Sequence, residues 1–236
     1  MNELAPTGKL RVGVAVAPSP SPLFVVQDKD GRPRGVTVDL ANALAGELGV
    51  ALELMVAPNT GELVDALEAG RIDVSFMPVD EERRKRLDFG PVYFQVESTY
   101  MATDASGIRT VGEVDRPGVR VVGIANTTTI RAAGRTLKNT TIKAVQSIGE
   151  AIEMMTGGKA DAFALSRDSL PPFVARQPGS RIVEGGFQFT GVAVAVPKGK
   201  PEALAAVTAF LEKAKASGAV KAAFDRAGLA HLDVAP

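Results

Sequence analysis

Apolar and polar positions along the chain alternate between two periods. Leu10-Arg-Val-Gly-Val-Ala-Val-Ala17 interleaves small and β-branched residues and predicts a buried strand. Asp28-Lys-Asp-Gly31 carries turn chemistry. From Val38 the spacing becomes helical, with Leu40, Leu44 and Leu48 on one face and Gly49 as a C-terminal stop. Leu52 to Val56 predicts a return to strand, Glu62 to Ala69 a short helix ending at Gly70, and Ile72 to Phe76 the next strand. Alternating β and α units of this size predict a parallel α/β architecture.

The second half repeats the first. GELVDALEAGRIDVSF (61–76) is echoed by GEAIEMMTGGKADAFA (149–164), and LRVGVAVA (10–17) by VRVVGIAN (119–126). The repetition predicts two lobes of related topology. Asp73 and Asp161, at equivalent places in the repeat, are expected to satisfy local backbone donors rather than to catalyse. The polar turn Asp104-Ala-Ser-Gly107 predicts a crossing into the second lobe. Gly185-Gly186, followed by the strand-like Thr190 to Pro197, predicts the return. Lobe 1 is then discontinuous, 1–103 with 193–236, and lobe 2 covers 104–192. The hinge strands lie near Tyr100 to Thr103 and Thr190 to Val194, and the cleft between the lobes is the expected ligand site. An amphipathic helix carrying Leu204, Val207, Phe210 and Leu211, then a shorter one from Gly218 to Ala227, close the chain.

Charge changes the picture in one segment. DEERRKRLDF, Asp80 to Phe89, places carboxylates before cations, the order a helix macrodipole favours. Its four cations, Arg83, Arg84, Lys85 and Arg86, read as a solvated helix face, although any arginine held over a cleft is a bidentate carboxylate receptor. Elsewhere composition mainly excludes. Lys plus Arg and Asp plus Glu both number 27, so no net charge steers the chain to nucleic acid or an anionic membrane. Without cysteine there is no disulfide, thiolate metal site or cysteine nucleophile. The single histidine, His231, reads as a surface or terminal-packing residue, which argues against a Ser-His-Asp enzyme. No apolar run reaches the roughly 18 to 20 residues that span a bilayer, and MNELAPTGKL has no apolar signal region.

With these segments in place, the chain resembles the family 3 extracytoplasmic solute-binding proteins, the amino-acid receptors of ABC importers. The resemblance rests on Gly31 followed by GVTVDLANALAGELGV (35–50), on LVDALEAGRIDVSF (63–76), ERRKRLDFGPVYF (82–94), VGIANTTT (122–129) and GVAVAVPKGKPE (191–202). It implies a type II periplasmic-binding-protein fold with a two-strand hinge. It also implies a periplasmic mature form whose export signal has been removed, a monomer that delivers its solute to the permease subunits, and neither cofactor nor metal. In that family an arginine six residues before the Phe of the DFS-PY segment clamps the ligand carboxylate, which here is Arg83. The partner in lobe 2 is a Thr-rich turn at a helix N-terminus, matched by Thr127, Thr128 and Thr129.

Four departures from the family pattern stand out. Pro78 and Asp80 replace the hydroxyl residues before the arginine, and Asp80 is left as a helix cap, a partner of Arg83 or an acceptor for a ligand ammonium. Ser166 replaces the lobe 2 aspartate that meets an α-ammonium, with Arg167 and Asp168 following. Ser21-Pro22-Leu23-Phe24 stands in place of the family's Tyr-Pro-Pro-Phe, keeping only its proline and Phe24, and a stacking aromatic gives way to Asn59-Thr60. The expected ligand is therefore a small carboxylate, either a non-amino organic acid or an amino-acid derivative whose nitrogen is bound differently. The rival expectations are a cyclohexadienyl-dehydratase-like enzyme on the same scaffold, with Asp80 or Glu97 as general acid, and a ligand-sensing domain of a larger protein.

Overall fold

The structure, a computed structural model, describes residues 3–16 and 20–236. The chain forms two compact units, Met1–Gln95 with Gly191–Pro236, and Val96–Thr190. In order, the elements are β1 (Lys9–Ala15), β2 (Val26–Gln27), β3 (Pro33–Arg34), α1 (Val36–Leu48), β4 (Ala51–Ala57), α2 (Thr60–Glu68), β5 (Val74–Pro78), α3 (Glu81–Arg86) and β6 (Leu87–Ala102). They continue with β7 (Val121–Ile124), α4 (Thr128–Thr136), β8 (Ile142–Val145), α5 (Ile148–Thr156), β9 (Ala162–Ser166), α6 (Pro171–Val174), β10 (Arg181–Ile182), β11 (Gln188–Pro197), α7 (Pro201–Ala216) and α8 (Ala219–Arg226). The strand predicted to run to Ala17 ends on a residue outside those described. Among the described residues no helix is long and apolar enough to cross a membrane.

Both passages between the units fall inside long strands, β6 at 95/96 and β11 at 190/191. The sequence places the first at the turn after β6, because turn residues mark where a strand ends and nothing in composition marks a boundary within one. At the return point Gly191 carries no side chain, and a Cβ there would sit 2.6 Å from Val92. In the first unit the strand order is β4-β1-β5-β11-β6, with β1 parallel to β4 and β5 and β11 antiparallel to β5. In the second it is β6-β9-β7-β8, with β7 parallel to β8 and β9 and β6 antiparallel to β9. Each unit thus has the predicted parallel core and one added antiparallel neighbour.

Local chemistry accounts for the helices. In α1, Leu40 and Leu44 are buried, and Gly49 closes the helix in the left-handed conformation at φ 66. The helix begins two residues before the predicted Val38, because Val36 N–H donates to the Pro22 carbonyl at 2.9 Å and the Thr37 hydroxyl to that of Phe24 at 2.7 Å. Asn59, Asp80, Thr127 and Ser147 cap α2, α3, α4 and α5, each accepting the amide of the third helical residue. Each such cap stabilises its helix by about 1 kcal/mol.

Period-two alternation sorts the core of the second unit into two layers. Tyr100, Val121, Ala162 and Ala164 pack with Ile108, Ala133 and Leu137 on one face. Met101, Val122, Phe163 and Leu165 pack with Val145 and Met155 on the other. In the first unit Leu63, Leu67, Ile72 and Met77 form an equivalent layer under α2.

The internal repeat reappears as a side-chain motif. Arg11 donates from Nε to Asp73 at 3.0 Å and from Nη1 to the Gly70 carbonyl at 2.8 Å, while Asp73 also accepts the Arg11 amide at 3.0 Å. Arg120 makes the same set to Asp161 and the Gly158 carbonyl, with Nε at 2.9 Å and its amide at 2.8 Å. Both aspartates satisfy backbone donors, but the donors are not the local ones expected: they are the Arg11 and Arg120 amides, 62 and 41 residues away, and each aspartate in addition holds a bidentate arginine. These staples close the amino ends of the parallel strands in each unit.

The Arg120 hydrogen bonds hold the Asp161 carboxyl below the usual carboxylate range. A depressed folded pKa contributes stability above the unfolded value and loses it as pH falls through the folded one. Asp161→Asn is therefore expected to lower stability at neutral pH and to flatten its decline below about pH 4. Urea unfolding across acid pH checks this, and parallel wild-type and variant curves would contradict it.

Candidate functional site

The opposite, carboxyl ends of the strands carry the residues singled out by sequence. In the first unit β5 ends at Pro78, Asp80 caps α3, and Arg83 lies on the buried side of that one-and-a-half-turn helix. Arg83 is only 6% exposed. Its Nη1 donates to the Pro78 carbonyl at 2.6 Å and its Nη2 to the Thr60 hydroxyl at 2.6 Å. Pro78 cannot donate, and here it acts through its acceptor. Thr60, at the start of α2, stands where the family pattern has an aromatic nearby, and it steadies the guanidinium instead.

The other three cations keep the solvated face expected of them. Arg84 lies over the Phe89 ring at 5.6 Å, Lys85 pairs with Glu82 at 2.6 Å, and Arg86 pairs with Asp65 at 2.7 Å and with Glu68. Such exposed pairs contribute little to stability. The helix stops at Arg86, because Leu87 enters β6 and is buried against the α2 layer.

Asp80 accepts the Arg83 amide at 2.9 Å. Asparagine caps as well as aspartate, so Asp80→Asn is expected to leave stability within about 0.5 kcal/mol, whereas Asp80→Ala costs about 1 kcal/mol. Denaturant melts check both. A drop in solute affinity for Asp80→Asn at unchanged stability would place the carboxylate on the ligand.

In the second unit β7 leads through Asn126 into the threonine run. Asn126 is the only described non-glycine residue with positive φ, at 61, a conformation asparagine tolerates better than most residues. The Thr127 hydroxyl accepts the Ile130 amide at 3.2 Å and donates to the Ile124 carbonyl at 2.8 Å, so it serves the helix. Thr128 is half-buried; Thr129 is buried, its hydroxyl 3.3 Å from that of Ser98. No acidic residue occupies the first turn of α4. A helix start of this kind presents backbone N–H groups and the positive end of the macrodipole.

At the end of the neighbouring β9, Ser166 is buried and its hydroxyl donates to Ser169 at 2.8 Å. Residues 167–169 form a 3₁₀ turn that sequence periodicity does not announce. In it Asp168 is half-buried; burial pushes its carboxyl pKa up, opposed by hydrogen bonds from Ser166, its own amide and Ser169. Its acid-and-hydroxyl run directly after a strand, Ser166-Arg-Asp-Ser169, was the available signal for it.

Other candidates fall elsewhere. Glu97 is ion-paired with Arg167, Nε to Oε2 at 2.5 Å. Phe24 is half-buried, and its backbone meets Ser21 and Thr37. His231 is exposed, and the run Asn139–Thr141 is a loop held by the Asp115 carboxylate.

Residues 10–228 match the family described as bacterial extracellular solute-binding proteins, family 3. The L-arginine-binding protein of Pseudomonas aeruginosa is 26% identical over 229 residues, 92% of this chain and 86% of that one. A membrane-bound lytic murein transglycosylase F of Maricaulis maris is 42% identical over 77 residues, 32% of this chain, and the matched segment spans only 17% of that relative's length. Among solved structures, holo ArgBP from T. maritima superposes with a TM-score of 0.74 at 27% identity, covering 91% of this chain and 94% of that one. An ancestral amino acid-binding protein, a precursor of cyclohexadienyl dehydratase, gives 0.74 at 29% identity with 95% and 96% covered. These likenesses establish the type II periplasmic-binding-protein fold, and the chain belongs to family 3 of the bacterial extracellular solute-binding proteins.

Proposed function

We propose that this protein is the extracytoplasmic receptor of an ABC importer and captures a small carboxylate-bearing solute. The observation that carries this is Arg83: a buried guanidinium, held rigid by the Pro78 carbonyl and the Thr60 hydroxyl, at the carboxyl end of a parallel strand. A planar fork fixed in this way is pre-organised for a carboxylate and loses little entropy on binding. The solute docks on the first unit through Arg83. The second unit then brings the α4 start, with Thr128 and the Thr129 amide, onto the same carboxylate. Bending of β6 and β11 closes the pair, and the closed monomer is the form a membrane permease recognises.

Full-length relatives named for arginine and glutamine support an amino-acid-sized cargo. Against the enzyme alternative, Asp80 serves as the cap of α3 and Glu97 is ion-paired with Arg167. Calorimetry against amino acids, hydroxy acids, keto acids and the matching decarboxylated amines tests the proposal. Saturable binding that needs the carboxylate is expected, with no ultraviolet change on incubation with prephenate or arogenate. Equal binding of a decarboxylated analogue, or turnover, would refute it.

A further inference from the structure

β6 carries the chain from the first unit into the second at 95/96, and residues on both sides of that point are gripped. On the first-unit side the grip comes from chain that follows β11. Lys215, on α7, donates from Nζ to the Val92 carbonyl at 3.1 Å and to the Pro236 carbonyl at 2.7 Å. The Ala235 amide donates to the Tyr93 carbonyl at 2.9 Å. Phe224, on α8, meets the Phe94 ring edge-on at 5.6 Å, and both rings are buried. Three consecutive residues of β6 are thus held by three different residues of the later chain.

The segment after α8 is itself tied down. The Leu229 amide donates to the Phe224 carbonyl at 2.8 Å, Lys221 Nζ donates to the Ala230 carbonyl at 2.9 Å, and Ala235 is buried. Within the first unit β6 is the outermost strand of the sheet, so strand pairing there holds it from one side only. On the second-unit side, Glu97 is bound by Arg167, the Ser98 carbonyl accepts the Phe187 amide at 2.9 Å, and Ser98 to Ala102 lie in register with β9. Between the two grips stand only Gln95, which is exposed, and Val96. The neighbouring β11 crosses at 190/191, with Gly191 leaving room for the Val92 side chain, so it flexes along with β6 instead of anchoring it.

We propose that Lys215, Phe224 and the segment Leu229–Pro236 act as a strap that confines the bending of β6 to Gln95 and Val96. The proposal rests on the closure described above, in which β6 and β11 bend. A strand bends where its backbone is free, and every residue held in one conformation gives up backbone freedom. With the strap in place, the ligand-free protein samples a narrow range of bends. Once it is loosened, Val92 to Phe94 join the flexible span, the range widens, and a solute must order more chain to be held.

The chain has no cysteine, so spin labels on Lys29→Cys in the first unit and Lys159→Cys in the second, both exposed positions, report a single distance. Lys215→Met removes the ammonium and keeps most of the stem, while Ala235→Pro removes the amide donor to Tyr93. Both are compared with wild type, ligand-free, by double electron–electron resonance and by amide exchange read with mass spectrometry. The expected result is a broader distance distribution in each variant, with exchange in residues 92–97 at least about ten-fold faster. Distributions as narrow as wild type in both variants overturn the proposal. A lower melting temperature at unchanged width makes the segment a plain stabiliser and overturns it equally. Closure is read separately, from the wild-type distance with and without each compound of the calorimetric panel. A distance that no compound moves counts against closure, whereas the ligand-free comparison alone decides the strap.

Discussion

Replacing Arg83 with alanine is expected to weaken solute binding by about 2 to 5 kcal/mol, a rise in Kd of roughly 30- to 5,000-fold. The size follows from burial and geometry. At 6% exposure the guanidinium meets a carboxylate in a poorly screened environment, and its removal leaves the bound anion without its partner. Lysine is expected to restore only part of the affinity. A single ammonium cannot reach the Pro78 carbonyl and the Thr60 hydroxyl while also presenting two parallel donors to the solute. Thr60→Val, which frees one arm of the fork, should cost less than the loss of the arginine itself. Calorimetry with the identified solute measures all three, and an unchanged Kd for Arg83→Ala would take this residue out of the site.

The second large effect concerns stability. Asp73→Ala is expected to destabilise the protein by about 3 to 5 kcal/mol, the range for removing one partner of a buried ion pair. Asp73 is 6% exposed and accepts from the Arg11 amide, Nε and Nη2, so its loss strands three donors. The equivalent change at Asp161 should cost less, since the Arg120 side chain is 52% exposed and water replaces part of what it loses. Urea denaturation followed by circular dichroism distinguishes the two. Small and equal losses would mean that the staples are ornaments of an edge already stable without them.

Much of this architecture was legible from periodicity and punctuation. The stripe of Leu40, Leu44 and Leu48 with Gly49 behind it defined α1, and the paired segments 61–76 and 149–164 announced two related units. What escaped depended on contacts distant in sequence. The end of α3 at Arg86 is set by Leu87 packing under α2, which the charge order does not show. Arg83 could be located by counting from Phe89, yet the hydroxyl that fixes its fork comes from Thr60, 23 residues earlier. The 3₁₀ turn over Arg167–Ser169 was not foreseen either, because a count along an extended strand does not show where the chain leaves it.

The duplicated staples have a consequence for how such a protein changes over generations. In each unit the arginine–aspartate fastening lies at the amino ends of the strands, while Arg83 and the threonine run lie at the carboxyl ends. On the proposed reading, substitutions that alter cargo leave both fastenings intact, although those at Asp80 and Thr127 also touch a helix cap. On that reading a lineage can exchange recognition groups at one end of its sheets while the fastenings that hold the strands at the other end stay as they are.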